Sequence, residues 1–564
     1  MRVLIVVILS GFSFLSTTTA QSDVPKGWHL LDYQRDSFLG ISLNKAYQFL
    51  QSKNKIGQPV IVAVLDSGVD TTHEDLKKIL WRNPKEIPNN GIDDDKNGYI
   101  DDVYGWNFLG GKNGKSLKKA ADERSRVYHR WKEQFLGKLI DTNQLNKGDK
   151  QAYKIWRKAA DELNFSQEEQ MDLLFIEVTA KALHRHDKVL RQELGIEEFT
   201  CEKIESFEPI TKTGKDAKLG FLTVMKMMGI DPTEKNTNTL NELDEYIESK
   251  KTSFESKEKA PYNYRQEIVG DDYFNFADQF YGNNDVMGPG PMHGTHVTGI
   301  IGAQRNNGIG MDGVTDQVKI MTLRVVPDGD EYDKDIALAI RYAVDNGAKI
   351  INMSFGKSFS PEKRWVDSAV RYAEQKDVLL IHASGNESED LDIKENFPNP
   401  WLAQWQTKAT NYITVGASSD ERIDKSIAAD FSSYGKNNVD IFAPGVKIYS
   451  TFPGGNQYGN LKGTSMATPV VTGLAALLRS YYPILTAVEV KNIIEQSAYI
   501  PNTTMDCIKP GIESKTKQST TLSMLCKTGG IANAYNAVVM ASELKITTVP
   551  TKSEKMVGTI KIRK

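Results

Sequence analysis

Five apolar runs punctuate this chain: Val60-Ile61-Val62-Ala63-Val64-Leu65, then Lys319 to Val326, Lys349 to Ser354, Val378 to Ala383 and Tyr412 to Ala417. Each is short and mostly apolar, which reads as a strand buried on both faces. Between them, residues 333–346 and 362–375 carry apolar positions at helical spacing. Strands alternating with helices predict an α/β fold, a mainly parallel sheet flanked by helices, over residues 59–110 and 266–545.

Residues 111–265 follow a different pattern. Lys and Glu dominate, and apolar residues recur three and four apart: Val127, Trp131 and Phe135; Met171, Leu174, Phe175 and Val178; Leu240, Leu243 and Ile247. This predicts an inserted α-helical subdomain of about four or five helices that packs mainly on itself. The other reading is a direct role in substrate selection.

The ends carry their own signals. Met1-Arg2, an apolar stretch from Val3 to Leu15 and Ser16-Thr17-Thr18-Thr19-Ala20 describe a secretory signal peptide over residues 1–20, too short in its apolar part to span a bilayer. Residues 21–58 form a short N-terminal extension, and 546–564 a basic, low-complexity tail. No segment after the signal peptide is apolar enough to be transmembrane. Export to the periplasm or the extracellular medium is therefore expected.

Composition narrows the partners. A formal charge of −3 over 564 residues gives no field that points to nucleic acid or an anionic membrane. Of the three cysteines, Cys507 and Cys526 bracket a polar loop; spacing fixes no geometry, so a bridge and its absence both stay open.

Three separated segments carry nucleophile chemistry: Val64-Leu65-Asp66-Ser67-Gly68, His293-Gly294-Thr295-His296-Val297 and Gly463-Thr464-Ser465-Met466-Ala467-Thr468-Pro469. A serine hydroxyl needs a base to take its proton and a carboxylate to orient that base. Asp66 ends a predicted strand, where a sheet delivers side chains to its carboxyl edge. His293 and Ser465 each open a predicted helix. Its positive end keeps an imidazole neutral and leaves free N–H groups for an oxyanion.

A fourth segment suggests a metal. In Asp93-Asp94-Asp95-Lys96-Asn97-Gly98-Tyr99-Ile100-Asp101-Asp102, oxygen ligands fall at Asp93, Asp95, Asn97, the Tyr99 carbonyl and Asp101, as in an EF-hand-type loop. Position twelve is Tyr104 rather than glutamate, so Asp102 or a residue brought by the fold must supply the missing ligand. The expected ion is structural calcium, with no cofactor required for catalysis.

With acid, imidazole and serine in this chain order, residues 59–108 and 285–541 resemble the subtilisin-like serine peptidases. The resemblance implies the triad Asp66, His293 and Ser465, and an oxyanion hole built from Asn386 and the Ser465 N–H. It also implies a substrate edge at Ser354, Phe355 and Gly356. A primary pocket would lie between that edge and Ala383, Ser384 and Gly385, with its floor near Asn396. Glu387, Glu389 and Asp390 nearby read as a solvated loop rather than as selectors of a basic residue. Secreted relatives often carry a folded propeptide. Here roughly 35 to 40 residues separate Ala20 from the first core strand, too few for a domain with its own core. The implied function is an exported serine endopeptidase acting on proteins or peptides through an acyl-enzyme. A narrowly selective processing peptidase and an inactive scaffold are the alternatives.

Overall fold

The computed structural model describes residues 24–544 apart from 165–166, 229, 231, 233, 503–504 and 512–517. The expected signal peptide, 1–20, and tail, 546–564, lie outside the described residues.

The strands are β1 (Val60–Asp66), β2 (Gly105–Asn107), β3 (Val318–Arg324), β4 (Ile350–Met353), β5 (Leu379–Ala383), a small hairpin of β6 (Trp401–Leu402) and β7 (Thr407–Lys408), β8 (Tyr412–Ser418), β9 (Ile441–Pro444), β10 (Ile448–Phe452) and β11 (Gln457–Leu461). Seven of them form one sheet in the order β2-β3-β1-β4-β5-β8-β9, every neighbouring pair parallel. The α/β reading therefore holds. Strands β10 and β11 form a separate antiparallel ribbon.

Helices α1 (Tyr33–Asp36) and α2 (Leu43–Ser52) precede β1. Between β2 and β3 come α3 (Glu123–Phe135), α4 (Lys147–Glu162), α5 (Gln167–Leu194), α6 (Cys201–Ser206), α7 (Lys212–Met227), α8 (Asn236–Glu255), α9 (Tyr264–Ile268) and α10 (Met292–Gly302). Next are α11 (Asp333–Asp345) and α12 (Lys363–Gln375), then α13 (Thr464–Tyr481), α14 (Ala487–Gln496), α15 (Leu522–Leu525) and α16 (Ala534–Glu543).

Alternation along β1 explains the layering, since side chains of a strand point to opposite faces. Val60, Val62 and Val64 enter the core shared with α10 and α13; Ala63 and Leu65 enter the core shared with α11 and α12. The N-terminal extension is part of this packing. Trp28, Leu43 and Leu50 are buried in the first core, and the Trp28 indole N–H donates to the Val446 carbonyl at 3.0 Å.

The helical region divides into two parts. Helices α3 and α4 share a small core of Val127, Tyr128, Phe135 and Trp156 with Phe359 from the segment after β4. Helices α5 to α8 close around a core of their own, including Leu183, Leu190, Phe221, Leu240, Leu243 and Ile247. One expected packing face does not form: Met171, Leu174, Phe175 and Val178 on α5 are exposed, and the core face of that helix starts at Ile176 and Ala180.

Buried ion pairs anchor both ends of this region. On the way in, the Lys357 ammonium meets Glu123 at 2.8 Å and Asp333 at 2.9 Å. Arg126 donates to the Asp330 and Glu331 carbonyls. On the way out, Arg265 grips Asp335 through two N–H groups at 2.7 and 2.8 Å. Leaving any of these charges single in the interior is costly, so the pairs fix where the inserted chain departs and returns.

Candidate active site

Asp66 is the last residue of β1 and lies opposite Arg324, the last residue of β3. Its Oδ1 accepts from the Ser67 backbone N–H and meets His293 Nδ1, both at 2.7 Å. His293 is the second residue of α10, and Gly294 lets that helix come so close. A Cβ at Gly294 would sit 2.2 Å from the Gly68 carbonyl oxygen. The contact to Asp66 fixes the imidazole tautomer: Nδ1 carries the proton, and Nε2 presents a lone pair.

Electrostatics at His293 differ from the helix-end expectation. Burial pulls its pKa down, but the charge and hydrogen bond of Asp66 outweigh that and hold it above 6.5. Contact with a carboxylate acts more strongly than the partial charge at a helix start. His296, one turn on, is buried and donates to the carbonyls of Ile448 and Gly459, and burial lowers its pKa to about 3. It pins α10 to the β10–β11 ribbon as a neutral group.

Ser465 is the second residue of α13, so its N–H is one of those without an acceptor inside the helix. A proline determines the rest of its surroundings. Pro469 has no N–H to give the Ser465 carbonyl four residues earlier, and that carbonyl instead accepts from Ser354 Oγ at 3.0 Å. In return, Ser465 Oγ donates to the Ser354 carbonyl at 2.9 Å. The Ser354 hydroxyl is itself held by Asn352, which accepts from Thr472 of α13.

Asn386 follows β5 in the turn Ser384-Gly385-Asn386. Its Oδ1 accepts from the Thr464 backbone N–H at 2.9 Å and the Thr464 hydroxyl at 3.0 Å. A backbone N–H can only donate, so the oxygen of the amide faces Thr464 and the NH2 group is left to donate elsewhere.

Ser465, Thr464, Asn386, Gly356 and Ala383 to Gly385 line one cavity of about 420 Å³. Phe355 borders it too; Ser354 lies just behind, bonded to Ser465. Asn396 Nδ2 donates to the carbonyls of Ala383 and Ser384, both at 3.1 Å. A Cβ at Gly356 would lie 2.3 Å from Asn396 Oδ1, so glycine keeps that wall open. Sequence reasoning missed several lining residues, among them Asp330, Glu331, Asp122 and Glu162. They come from the β3–α11 connection, the N-cap of α3 and the end of α4, and no spacing signal links them to Ser465.

The acidic loop forms differently from an EF-hand. Asp93, Asp95 and Glu86 bring carboxylate oxygens within 4.8 Å of one another. Asn97 Oδ1 accepts from the Tyr99 N–H, while Asp101 turns to the backbone N–H groups of Asn90 and Gly91. Asp102 accepts from Asn83, Asn97 and Tyr342. Glu86 was not foreseen. Its Oε1 accepts from the Asp94 and Asp95 N–H groups, and its Oε2 is buried without a partner, which suits a cation.

Cys507 and Cys526 lie in one buried cluster and carry no disulfide; burial pushes the Cys507 thiol up to about 12.

A parallel sheet with an acid–imidazole pair at its carboxyl edge, and a helix-borne serine facing an amide, defines the class of serine peptidase domains. Residues 57–529 match the family model described as Subtilase family, and the chain belongs to that family. It is 37% identical over 226 residues to a thermophilic serine proteinase of Bacillus sp. (strain AK1), covering 40% of this chain and 50% of that protein. It is 36% identical over 210 residues to subtilisin BL of Lederbergia lenta, covering 37% of this chain and 71% of that one. The chain thus spans about half the length of the first of these relatives. Among solved structures, a protease from Pseudoalteromonas arctica aligns over 92% of this chain and 98% of its own, at 16% identity and a TM-score of 0.45. Among the described residues no helix is long and apolar enough to cross a membrane.

Proposed function

We propose that this chain is an exported serine endopeptidase that hydrolyses peptide bonds in proteins through an acyl-enzyme. The observation that carries it is the 2.7 Å contact of His293 Nδ1 with Asp66, which leaves Nε2 free to act as a base. Substrate pairs as an added strand along Ser354 to Gly356. Ser465 Oγ exchanges its bond to the Ser354 carbonyl for one to His293 Nε2, loses its proton there and attacks the scissile carbonyl. The Asn386 NH2 and the Ser465 N–H stabilise the oxyanion. His293 then protonates the leaving amine, and water hydrolyses the acyl-enzyme with His293 again as base.

Glu86, Asp93 and Asp95 would hold calcium, whose contribution is to neutralise crowded carboxylates and stiffen the chain between β1 and β2. The reading of residues 1–20 as a secretory signal supports export.

Hydrolysis of a labelled unfolded protein by the purified chain in calcium, beside Ser465→Ala and a serine-reactive probe, tests this reading. Cleavage falling at least about 1000-fold in the variant, with labelling lost, supports it. Labelling without cleavage favours a narrowly selective processor, a reading to which the α3 and α4 residues in the cavity wall lend weight. A folded protein that does neither is a scaffold.

A further inference from the structure

We infer that the cavity beside Ser465 is a receptor for a cationic side chain, so that this enzyme cleaves after arginine or lysine. The inference rests on the peptidase reading above and deepens it. Seven acidic side chains line the cavity beside two basic ones, Arg124 and Lys357.

The cations do not balance that charge. Lys357 is fully committed: its ammonium, 0% exposed, is held by Glu123, Asp333 and the Glu331 carbonyl. Arg124 lies 3.9 Å from Asp122, one of the seven.

The cavity holds a group that asks for a partner. Glu331 is 4% exposed, and its Oε2 is buried with no hydrogen bond. Arg126 and Lys357 grip the backbone carbonyl of Glu331, which fixes the residue and still leaves Oε2 without a hydrogen bond. A buried oxygen of this kind costs stability in the empty site and regains it when a donor arrives. Glu387 approaches from the opposite wall. Its Oε2 folds back over Gly385, so close that a Cβ there would lie 2.5 Å away.

The protonation equilibria fit the same picture. Burial and the charge of Asp330 push Glu331 up to about 8; Asp330 and Glu387 are also raised, burial leading in both. Lys357 and Arg126 pull Glu331 and Asp330 down without offsetting burial, and a guanidinium or ammonium seated in the cavity would return these carboxyls to their charged forms. The solvated-loop reading of Glu387 and Glu389 does not account for Glu331, which water barely reaches. Asp122, the N-cap of α3, and Glu162, at the end of α4, close the far side, so the inserted helices take part in selection.

The test is kcat/KM on short fluorogenic peptides that differ only in the residue before the cut: Arg, Lys, Gln, Leu or Glu. Arg and Lys are expected to exceed Leu by about 100-fold, with Glu the poorest. Glu331→Gln should shrink the Arg-to-Leu ratio at least about tenfold. If that variant does not fold, Glu387→Gln in the loop after β5 should shrink the ratio in the same direction. Leu or Gln equal to Arg in wild-type enzyme overturns the inference, as does an Arg preference that neither variant reduces. Labelling of the wild-type enzyme by a small uncharged serine probe separates the two readings. Labelling with no basic preference leaves the peptidase standing, whereas no labelling in folded protein removes both.

Discussion

The two parts of the inserted helical region solve the same folding problem differently. Helices α5 to α8 bury their apolar faces against one another, and the ion pairs at their surface are exposed, such as Lys235 with Glu198 at 2.7 Å. Helices α3 and α4 cannot close a core alone; they borrow Phe359 and are tied to the catalytic sheet through Glu123, Lys357 and Asp333. One part behaves as a unit set on the enzyme, and the other is wall of its cleft. Sequence proximity to an active-site motif therefore says little about involvement in the site, while shared core residues and shared buried charges say a great deal.

The sharpest way to break this comparison is to remove one cation from each part. Lys357→Met leaves Glu123 and Asp333 buried without their cation and should cost about 3–5 kcal/mol in chemical unfolding. Lys235→Met removes an exposed pair and should cost less than about 1 kcal/mol. Equal losses would erase the distinction.

An intermediate effect is expected in the pH profile. The proposed mechanism needs neutral His293, and a pKa held above 6.5 keeps the ring protonated to higher pH, so kcat/KM should fall on the acid side through an apparent pKa above 6.5. Asp66→Asn removes the charge that raises it, and the acid limb should move to lower pH in whatever activity remains. An acid limb below 6.5 in the wild-type enzyme contradicts the contact geometry.

The smallest effect should follow from replacing residues 167–255 with a short flexible linker. Turnover of a small peptide should stay within about threefold, because that bundle keeps its own core and the Phe359 cluster survives. A collapse of turnover would mean that the outer bundle also shapes the cleft.

The chain's own pattern marked five of the sheet's seven strands, and β2 and β9 were not among the runs it showed. Runs such as Val60 to Leu65 have no polar face, so they can lie only in a strand covered on both sides, and that places Asp66 at a carboxyl edge. The helix starts at His293 and Ser465 were equally legible, whereas the close approach at Gly294 and the carbonyl that Pro469 frees emerged only with the fold. Tertiary structure alone decided the rest. Glu86 joins Asp93 and Asp95, while both carboxylate oxygens of Asp101 are taken up by the backbone N–H groups of Asn90 and Gly91. Met171, Leu174, Phe175 and Val178 have helical spacing and still face outward, since periodicity names a face but not what covers it. Glu331 is the plainest case. Its burial, missing partner and place beside Ser465 arise from segments more than a hundred residues apart, and desolvation depends on the whole surround rather than on neighbours in sequence.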